Sequence, residues 1–346
     1  MGLALASSPG IHEIWIFIQW LYFYPGPRKL QNKVADLIVI LGTGGTIAGK
    51  AAQANDNVGY KAGEIGVDAL VAGVPGLSAF RLEARQLAQL DSKDMDFPTW
   101  RRLALAVEAQ LAREEVRGVL ITHGTDTLEE TAYFLHRVLA PRKPVVLTAA
   151  MRPATALQLD GPQNMLDAAH LLNDPAACGV MVCVAGQVYG ADQVQKAHSY
   201  RVDAFRGRDG TVLAQVEEGR VRWLSKALAA PQAIGSALLP AEGEAWPRVE
   251  IVLNHAHADG RLVRLLAHDG VEGLVVAGTG NGTLSTALEQ ALLDAQAAGI
   301  QVLRSTRCDG GPVAENGRGL PAAGGLSPVK ARVELLLRLL GEPAQS

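Results

Sequence analysis

From about residue 34 onward the chain repeats one pattern: a short apolar run, a turn rich in glycine or polar residues, then apolar positions at helical spacing. Residues 37–41 form an unbroken β-branched and leucine run, as expected of a strand buried on both faces. Residues 100–114 place Leu103, Ala106, Val107 and Leu111 along one side and predict a helix. Strands follow at 119–122, 144–148 and 179–184. Helices fall at 128–139 and 164–172, the second stopped by Asn173-Asp174-Pro175. Strands alternating with helices predict an α/β fold with a mostly parallel, doubly wound sheet. Residues 224–247 are rich in alanine, proline and glycine, lack periodicity and read as a linker. The pattern resumes at 249–253, 273–277 and 300–303 and closes with a helix over 328–340. Two doubly wound α/β domains are predicted, a larger amino-terminal one at 34–223 and a smaller carboxy-terminal one at 248–346. No repeat of solenoid period is present.

Residues 1–33 are set apart as an atypical leader. Residues 11–24 read IHEIWIFIQWLYFY, an aromatic density found nowhere else in the chain. The run is shorter than the roughly 20 residues that span a bilayer. It lacks a basic leading region and a small-residue cleavage site, and Pro25-Gly26-Pro27 ends any helix. The reading adopted is translated sequence upstream of a start near Val34; an export signal and an interfacial anchor are the alternatives. A cytoplasmic location is expected, with the periplasm following if the leader is an export signal.

The net charge of −3, without long charge runs, offers no electrostatic case for nucleic acid or an anionic membrane as partner. Three cysteines, Cys178, Cys183 and Cys308, argue against a disulfide framework. All three are expected to be buried as small hydrophobes.

Two loops carry the candidate chemistry. After the first strand comes Gly42-Thr43-Gly44-Gly45-Thr46, a glycine turn that ends on a hydroxyl. It fits neither the dinucleotide fingerprint nor the P-loop, which leaves an anion nest of backbone N–H groups as its possible use. After the 119–122 strand comes His123-Gly124-Thr125-Asp126-Thr127, a second hydroxyl beside a carboxylate. Parallel sheets bind ligands beyond the carboxyl ends of their strands, where both loops lie. A threonine hydroxyl needs a base to become a nucleophile. His123 reads as a structural histidine. A lysine held near a hydroxyl and a carboxylate can accept a proton when burial keeps it partly neutral. Spacing does not select which lysine; Lys143, Lys196 and Lys226 are available, and Lys196 follows a polar loop at the right end of the sheet. Asp126 could bind an amine, orient the lysine or cap the helix at Leu128. Glu129 and Glu130 complement the positive end of that helix. His255, His257 and Asp259 have the alternation of a metal site on a strand but read as polar loop residues. Gly278-Thr279-Gly280-Asn281-Gly282 lies at the ligand edge of the smaller domain and could approach the first domain or a neighbouring subunit.

Thr43-Gly44-Gly45-Thr46-Ile47-Ala48 and Gly118-x-Leu120-x-x-His123-Gly124-Thr125-Asp126-Thr127-Leu128 resemble the two signatures of the bacterial-type L-asparaginase family, which includes glutaminase-asparaginases. The resemblance runs from about residue 34 to 341. It includes Asp91-Ser92-Lys93-Asp94-Met95, Ala150-Met151-Arg152-Pro153, Asp160-Gly161-Pro162 and Pro328-Val329-Lys330-Ala331-Arg332. It implies hydrolysis of the asparagine side-chain amide to aspartate and ammonia, with no metal or cofactor. By this resemblance Thr46 is the primary nucleophile and Tyr60 the lid tyrosine beside it. Thr125, Asp126 and Lys196 form a second catalytic group. Ser92, Lys93, Gly45, Gly124 and Ala150 line the substrate site with Thr125 and Asp126. Ser92 takes the α-carboxylate and Asp126 the α-amine. The implied assembly is a homotetramer of intimate dimers, with Glu315 as the acidic residue offered to a neighbour's site. Lys93 stands where glutamine is common and Thr283 where asparagine is common. Both bear on discrimination against glutamine, where one methylene is worth about 1–3 kcal/mol. The alternatives are a broad glutaminase-asparaginase, an amidase acting on a larger amide, and a catalytically silent amino-acid-binding protein.

Overall fold

The 37–41 run becomes the centre of strand β1 (Leu37–Gly44), in which every residue is buried. The computed structural model describes residues 37–225, 231–315, 317 and 319–341. The leader, including Trp15, Trp20 and Val34, lies outside the described residues. Strand β1 pairs in parallel with β2 (Arg81–Leu90) on one side and β3 (Val116–Thr122) on the other. Strands β4 (Val145–Thr148) and β5 (Val180–Val184) extend the parallel set beyond β3. Along β1, side chains alternate between faces. Val39 and Leu41 join the core beneath helices α2 (Phe97–Leu111) and α3 (Leu128–Leu139). Ile38 and Ile40 join the opposite core with α1 (Val67–Ala72) and α4 (Gly161–Asn173).

The sheet does not end at β5. Strand β6 (Gln187–Gly190) turns back antiparallel to it. Strands β7 (Val194–Lys196) and β8 (Phe205–Gly207) then form a separate ribbon. Strands β9 (Ala214–Glu217) and β10 (Arg220–Trp223) complete an eight-stranded sheet of order β10-β9-β6-β5-β4-β3-β1-β2. Connections leaving β1 go first to β2 at one edge, then back across to β3. The strand order therefore reverses at the β1–β3 boundary, the place where open α/β sheets bind their ligands.

A second sheet is all parallel, in the order β11 (Val249–Leu253), β12 (Gly273–Gly278), β13 (Gln301–Thr306). Helices α5 (Arg261–His268) and α6 (Thr286–Ala297) cover one face. Helix α7 (Pro328–Gly341) covers the other, where Leu335 and Leu336 share one apolar cluster with Val275 and Leu303 and with Trp100 of α2 and Phe134 of α3, the helices on the first sheet. One core thus runs from one sheet to the other.

The described part of the 224–247 stretch is bound rather than free. Ile234 and Gly235 N–H donate to the carbonyls of Arg137 and Val138, each at 3.0 Å. Trp246 stacks on Phe97 with centroids 4.7 Å apart, a contact worth about 0.5–1.5 kcal/mol beyond area burial. The cysteine expectation holds only for Cys183, a buried residue of β5 whose thiol is pushed up by burial. Cys178 and Cys308 are exposed, because one precedes β5 and the other follows the end of β13.

Candidate active site

Strand β1 ends in an irregularity: between Gly42 and Gly44 its register against β2 shifts, from Gln86 to Leu90. Bulges of this kind re-aim the side chains that follow. Gly44 and Gly45 both take positive φ, 105° and 82°. A Cβ on Gly45 would collide with the backbone of Gly124, and one on Gly124 would collide with the Ser92 side chain. The two glycines therefore let the β1 loop, the β3 loop and Ser92 meet backbone to backbone. Thr46 and Thr125 follow these glycines directly, so the two hydroxyl-bearing residues leave stretches of backbone that touch each other.

Each hydroxyl has a partner. Thr46 Oγ1 and the Tyr60 hydroxyl share a hydrogen bond at 2.6 Å. Burial pushes the Tyr60 phenol up, its hydrogen bond to Thr46 offsets part of the rise, and the carboxylates of Asp91 and Asp126 add to it. Tyr60 is therefore a neutral hydroxyl at ordinary pH. The segment that carries it is fixed at both ends: Lys50 and Lys61 exchange backbone hydrogen bonds, and Gly63 and Ile65 N–H donate to the Gly45 and Ala48 carbonyls.

Thr125 Oγ1 accepts from Lys196 Nζ at 2.9 Å, and Asp126 Oδ1 accepts from the same ammonium at 2.5 Å. Lys196 is the residue that spacing could not select, and it stands on strand β7 rather than in a loop. Thr127 precedes α3 and Asp126 does not cap it, so the Asp126 carboxylate is free for Lys196. Ser92 joins the cluster: its Oγ accepts from Asp126 N–H at 3.2 Å, and its carbonyl accepts from Thr127 Oγ1 at 2.8 Å. Lys93 is exposed and its ammonium is held by Asp91 at 2.7 Å and Asp94 at 3.8 Å. Ala150 is buried beyond β4, with Gly161 packed against it and Ile47.

The anion-nest reading of the first turn is narrowed by one donor. Gly45 N–H donates to the Leu90 carbonyl at 2.8 Å and is not available to an anion. His123 is fully buried; its Nδ1–H donates to the Gly124 carbonyl, and burial pulls its pKa down to about 4. It is a neutral strut beneath the β3 loop. The Glu315 carboxylate accepts from Ala322 N–H at 2.8 Å and, among the described residues, makes no hydrogen bond to the Thr46–Lys196 cluster. The Asp259 carboxylate pairs with Arg261, and no group of three or more His, Cys, Asp or Glu among the described residues is placed to hold a metal ion. Among the same residues no helix is long and apolar enough to cross a membrane.

Two residues near the cluster were not signalled by the sequence. Glu129 reads as a helix-end charge, yet it is buried and its Oε1 accepts from the Lys196 backbone N–H at 3.1 Å. Burial raises its carboxyl, and the nearby charge of Lys330 opposes that rise. Lys330, on α7, is also buried; burial lowers its pKa to about 8.

The family model described as "Asparaginase, N-terminal" matches residues 37–229, and "Glutaminase/Asparaginase C-terminal domain" matches residues 248–343. The chain is 35% identical over 316 residues to a probable periplasmic L-asparaginase of Haemophilus influenzae, covering 88% of this chain and 89% of that protein. It is 34% identical to L-asparaginase 2 of Escherichia coli, covering 87% and 88%, and 33% identical to a glutaminase-asparaginase of Pseudomonas fluorescens, covering 90% and 88%. A crystal structure of a probable cytoplasmic L-asparaginase from Campylobacter jejuni superposes with a TM-score of 0.81 at 36% identity, covering 88% of this chain and 95% of that one. The chain belongs to the asparaginase family and is an enzyme of the amidohydrolase class.

Proposed function

We propose that the chain hydrolyses the side-chain amide of L-asparagine to L-aspartate and ammonia, with Thr46 as nucleophile and an acyl-enzyme between two half-reactions. The observation that carries this reading is the contact of Gly45 with Gly124, which juxtaposes a tyrosine-linked and a lysine-linked threonine at the strand-order reversal.

In the first half-reaction Thr46 Oγ1 bonds to the amide carbon and the C–N bond breaks. The Thr46 proton leaves through the neutral Tyr60 hydroxyl and ends on the departing ammonia. Oxyanion donors fall to the backbone of the Gly124-Thr125 turn, since Gly45 N–H is engaged; one such donor is worth about 2.7–4 kcal/mol. Water then adds to the acyl carbon, and Thr125 with Lys196 passes its proton to the departing Thr46 oxygen. Ser92 receives the α-carboxylate. Asp126, half exposed with one oxygen on Lys196, offers the other to the α-amine. The scheme requires no metal or cofactor.

Broad glutaminase-asparaginase activity is the second reading. Relatives carrying that name match this chain as well as those named L-asparaginase do. Ammonia release from asparagine, glutamine and β-aspartyl peptides separates the two. No release from any of them, with aspartate still bound, would establish a silent binding protein instead.

We also propose a cytoplasmic homotetramer of intimate dimers. Leu262 and Leu265 on α5 are 52% and 66% exposed, an apolar face suited to a partner subunit, and Glu315 would reach a neighbour's crevice. Light scattering on the native chain and cell fractionation test the assembly and the compartment. A monomer with full activity would refute the shared site.

A further inference from the structure

We propose that buried Lys330 and Glu129 are positioning residues for Lys196: together they hold the backbone that leads into it, through the Asp192 and Val194 carbonyls and its own N–H, and so keep its ammonium on Thr125. The inference rests on the catalytic reading of Lys196 given above.

Lys196 has no strong anchor of its own. Strand β7 is three residues long and, among the described residues, pairs only with the equally short β8. Such a ribbon is marginal without support from neighbours. The segment leading into it is nevertheless tied at three successive carbonyls. The carbonyls of Asp192 and Val194 both accept from Lys330 Nζ, the first at 3.0 Å. The carbonyl between them, on Gln193, accepts from Arg208 N–H at 2.9 Å. Lys196 N–H in turn donates to Glu129 Oε1. Glu129 lies four residues after Thr125 on the same stretch of chain. The loop before α3 and the first turn of that helix therefore carry both the Thr125 hydroxyl and the carboxylate that holds the backbone of the lysine donating to it.

Lys330 is 2% exposed and Glu129 is 8% exposed. Glu129 Oε2 has no hydrogen-bond partner among the described residues. A desolvated ammonium and carboxylate are poor stabilisers, and apolar side chains of similar volume would do as well or better for stability alone. What apolar side chains could not do is bond two carbonyls and an N–H along the segment that ends at Lys196. The arrangement suits precision of placement, and a displacement of about 1 Å in a catalytic group can lower turnover roughly 100-fold.

The test measures ammonia release by the full chain for wild type, Lys330→Met, Glu129→Ala, Lys196→Ala and the double variant Lys330→Met/Lys196→Ala. Folding is checked by circular dichroism. Lys330→Met and Glu129→Ala are expected to lower kcat roughly 100-fold with KM within about threefold. Glu129→Gln, which keeps an acceptor for Lys196 N–H, should recover most of that loss. In the Lys196→Ala background, Lys330→Met should cost nothing more, because its effect passes through the missing ammonium. Wild-type kcat in folded Lys330→Met and Glu129→Ala, or an undiminished further loss in the double variant, would overturn the proposal. A crystal structure of Glu129→Ala, or of whichever variant folds, gives a readout independent of turnover. Separation of Lys196 Nζ from Thr125 Oγ1 beyond hydrogen-bonding range supports the clamp, and an unchanged 2.9 Å refutes it. If the wild type releases no ammonia at all, the catalytic reading fails and the structural readout alone decides the clamp.

Discussion

The two sheets are built from the same grammar and do different work. Each is parallel at its centre, each is covered on both faces, and each carries a glycine–threonine turn beyond a central strand: Gly44-Gly45-Thr46 after β1 and Gly278-Thr279-Gly280 after β12. In the first sheet the strand order reverses between β1 and β3, and two turns face each other across the gap. In the second the order β11-β12-β13 never reverses. Its turn packs on the end of β13 and the loop after it, where Thr306 Oγ1 donates to the Gly280 carbonyl at 2.6 Å and Ala314 N–H donates to Asn281 Oδ1 at 2.9 Å, and its own hydroxyl is spent inside the turn. Thr279 Oγ1 and Thr283 Oγ1 lie 2.9 Å apart, and each hydroxyl also bonds the other residue's carbonyl. Arg304, buried beneath, donates to the Asn281 and Ala314 carbonyls and holds that turn in place. A hydroxyl at a strand end becomes a candidate nucleophile only where topology supplies something opposite it.

The strongest challenge to this contrast is truncation of the opposed hydroxyls. Thr46→Ala and Thr125→Ala should each lower kcat by about 10³-fold or more with the fold retained. Ammonia release together with circular dichroism decides it, and near-normal turnover in either variant breaks the contrast. Next comes the glycine contact. Gly45→Ala puts a methyl into the Gly124 backbone at a positive φ. It should lower turnover roughly 100-fold and destabilise by about 1–3 kcal/mol, read from denaturant midpoints.

Acid separates the strut beneath the first turn pair from the rest. His123 is neutral when folded, with its pKa near 4 against 6.5 unfolded. Below pH 6.5 the unfolded chain takes up a proton that the folded chain refuses, so stability falls as pH drops from about 6.5 to about 4. Relative to His123→Asn, which keeps a donor for the Gly124 carbonyl, the wild type should lose up to about 3 kcal/mol across that window. A stability gap that does not vary with pH would contradict the neutral strut. The smallest effect belongs to the second sheet. Thr279→Ala should cost about 1 kcal/mol of stability and leave kcat within about twofold.

How much of this could be read from the chain depended on whether a signal was local. The strand-then-glycine-then-threonine pattern is local, and it located Thr46 and Thr125 and the parallel centre of the first sheet. Strand β2 escaped notice because Arg81-Leu82-Glu83-Ala84-Arg85-Gln86-Leu87 has the composition of a helix. At a sheet edge its pairing with β1 outweighs that preference, and its charges face water. Lys196 could be named only through family resemblance, since no spacing rule connects it to Thr125, 71 residues earlier. Glu129 looked like a helix-end charge because the Lys196 backbone N–H that uses it arrives from a distant ribbon. The exposed Cys178 and Cys308 were misjudged because each borders an apolar strand without belonging to it.

The bond from Lys330 to the Val194 carbonyl spans 136 residues of sequence. At ribosomal rates of about 5–20 residues per second, a growing chain would carry both threonines and Lys196 for roughly ten seconds before Lys330 is even synthesised. On the proposed reading, the proposed reactive groups of the two turns are present during that interval while the ribbon that would steady one of them lacks its floor. The nascent polypeptide would then be chemically equipped yet idle, with translation itself acting as the delay.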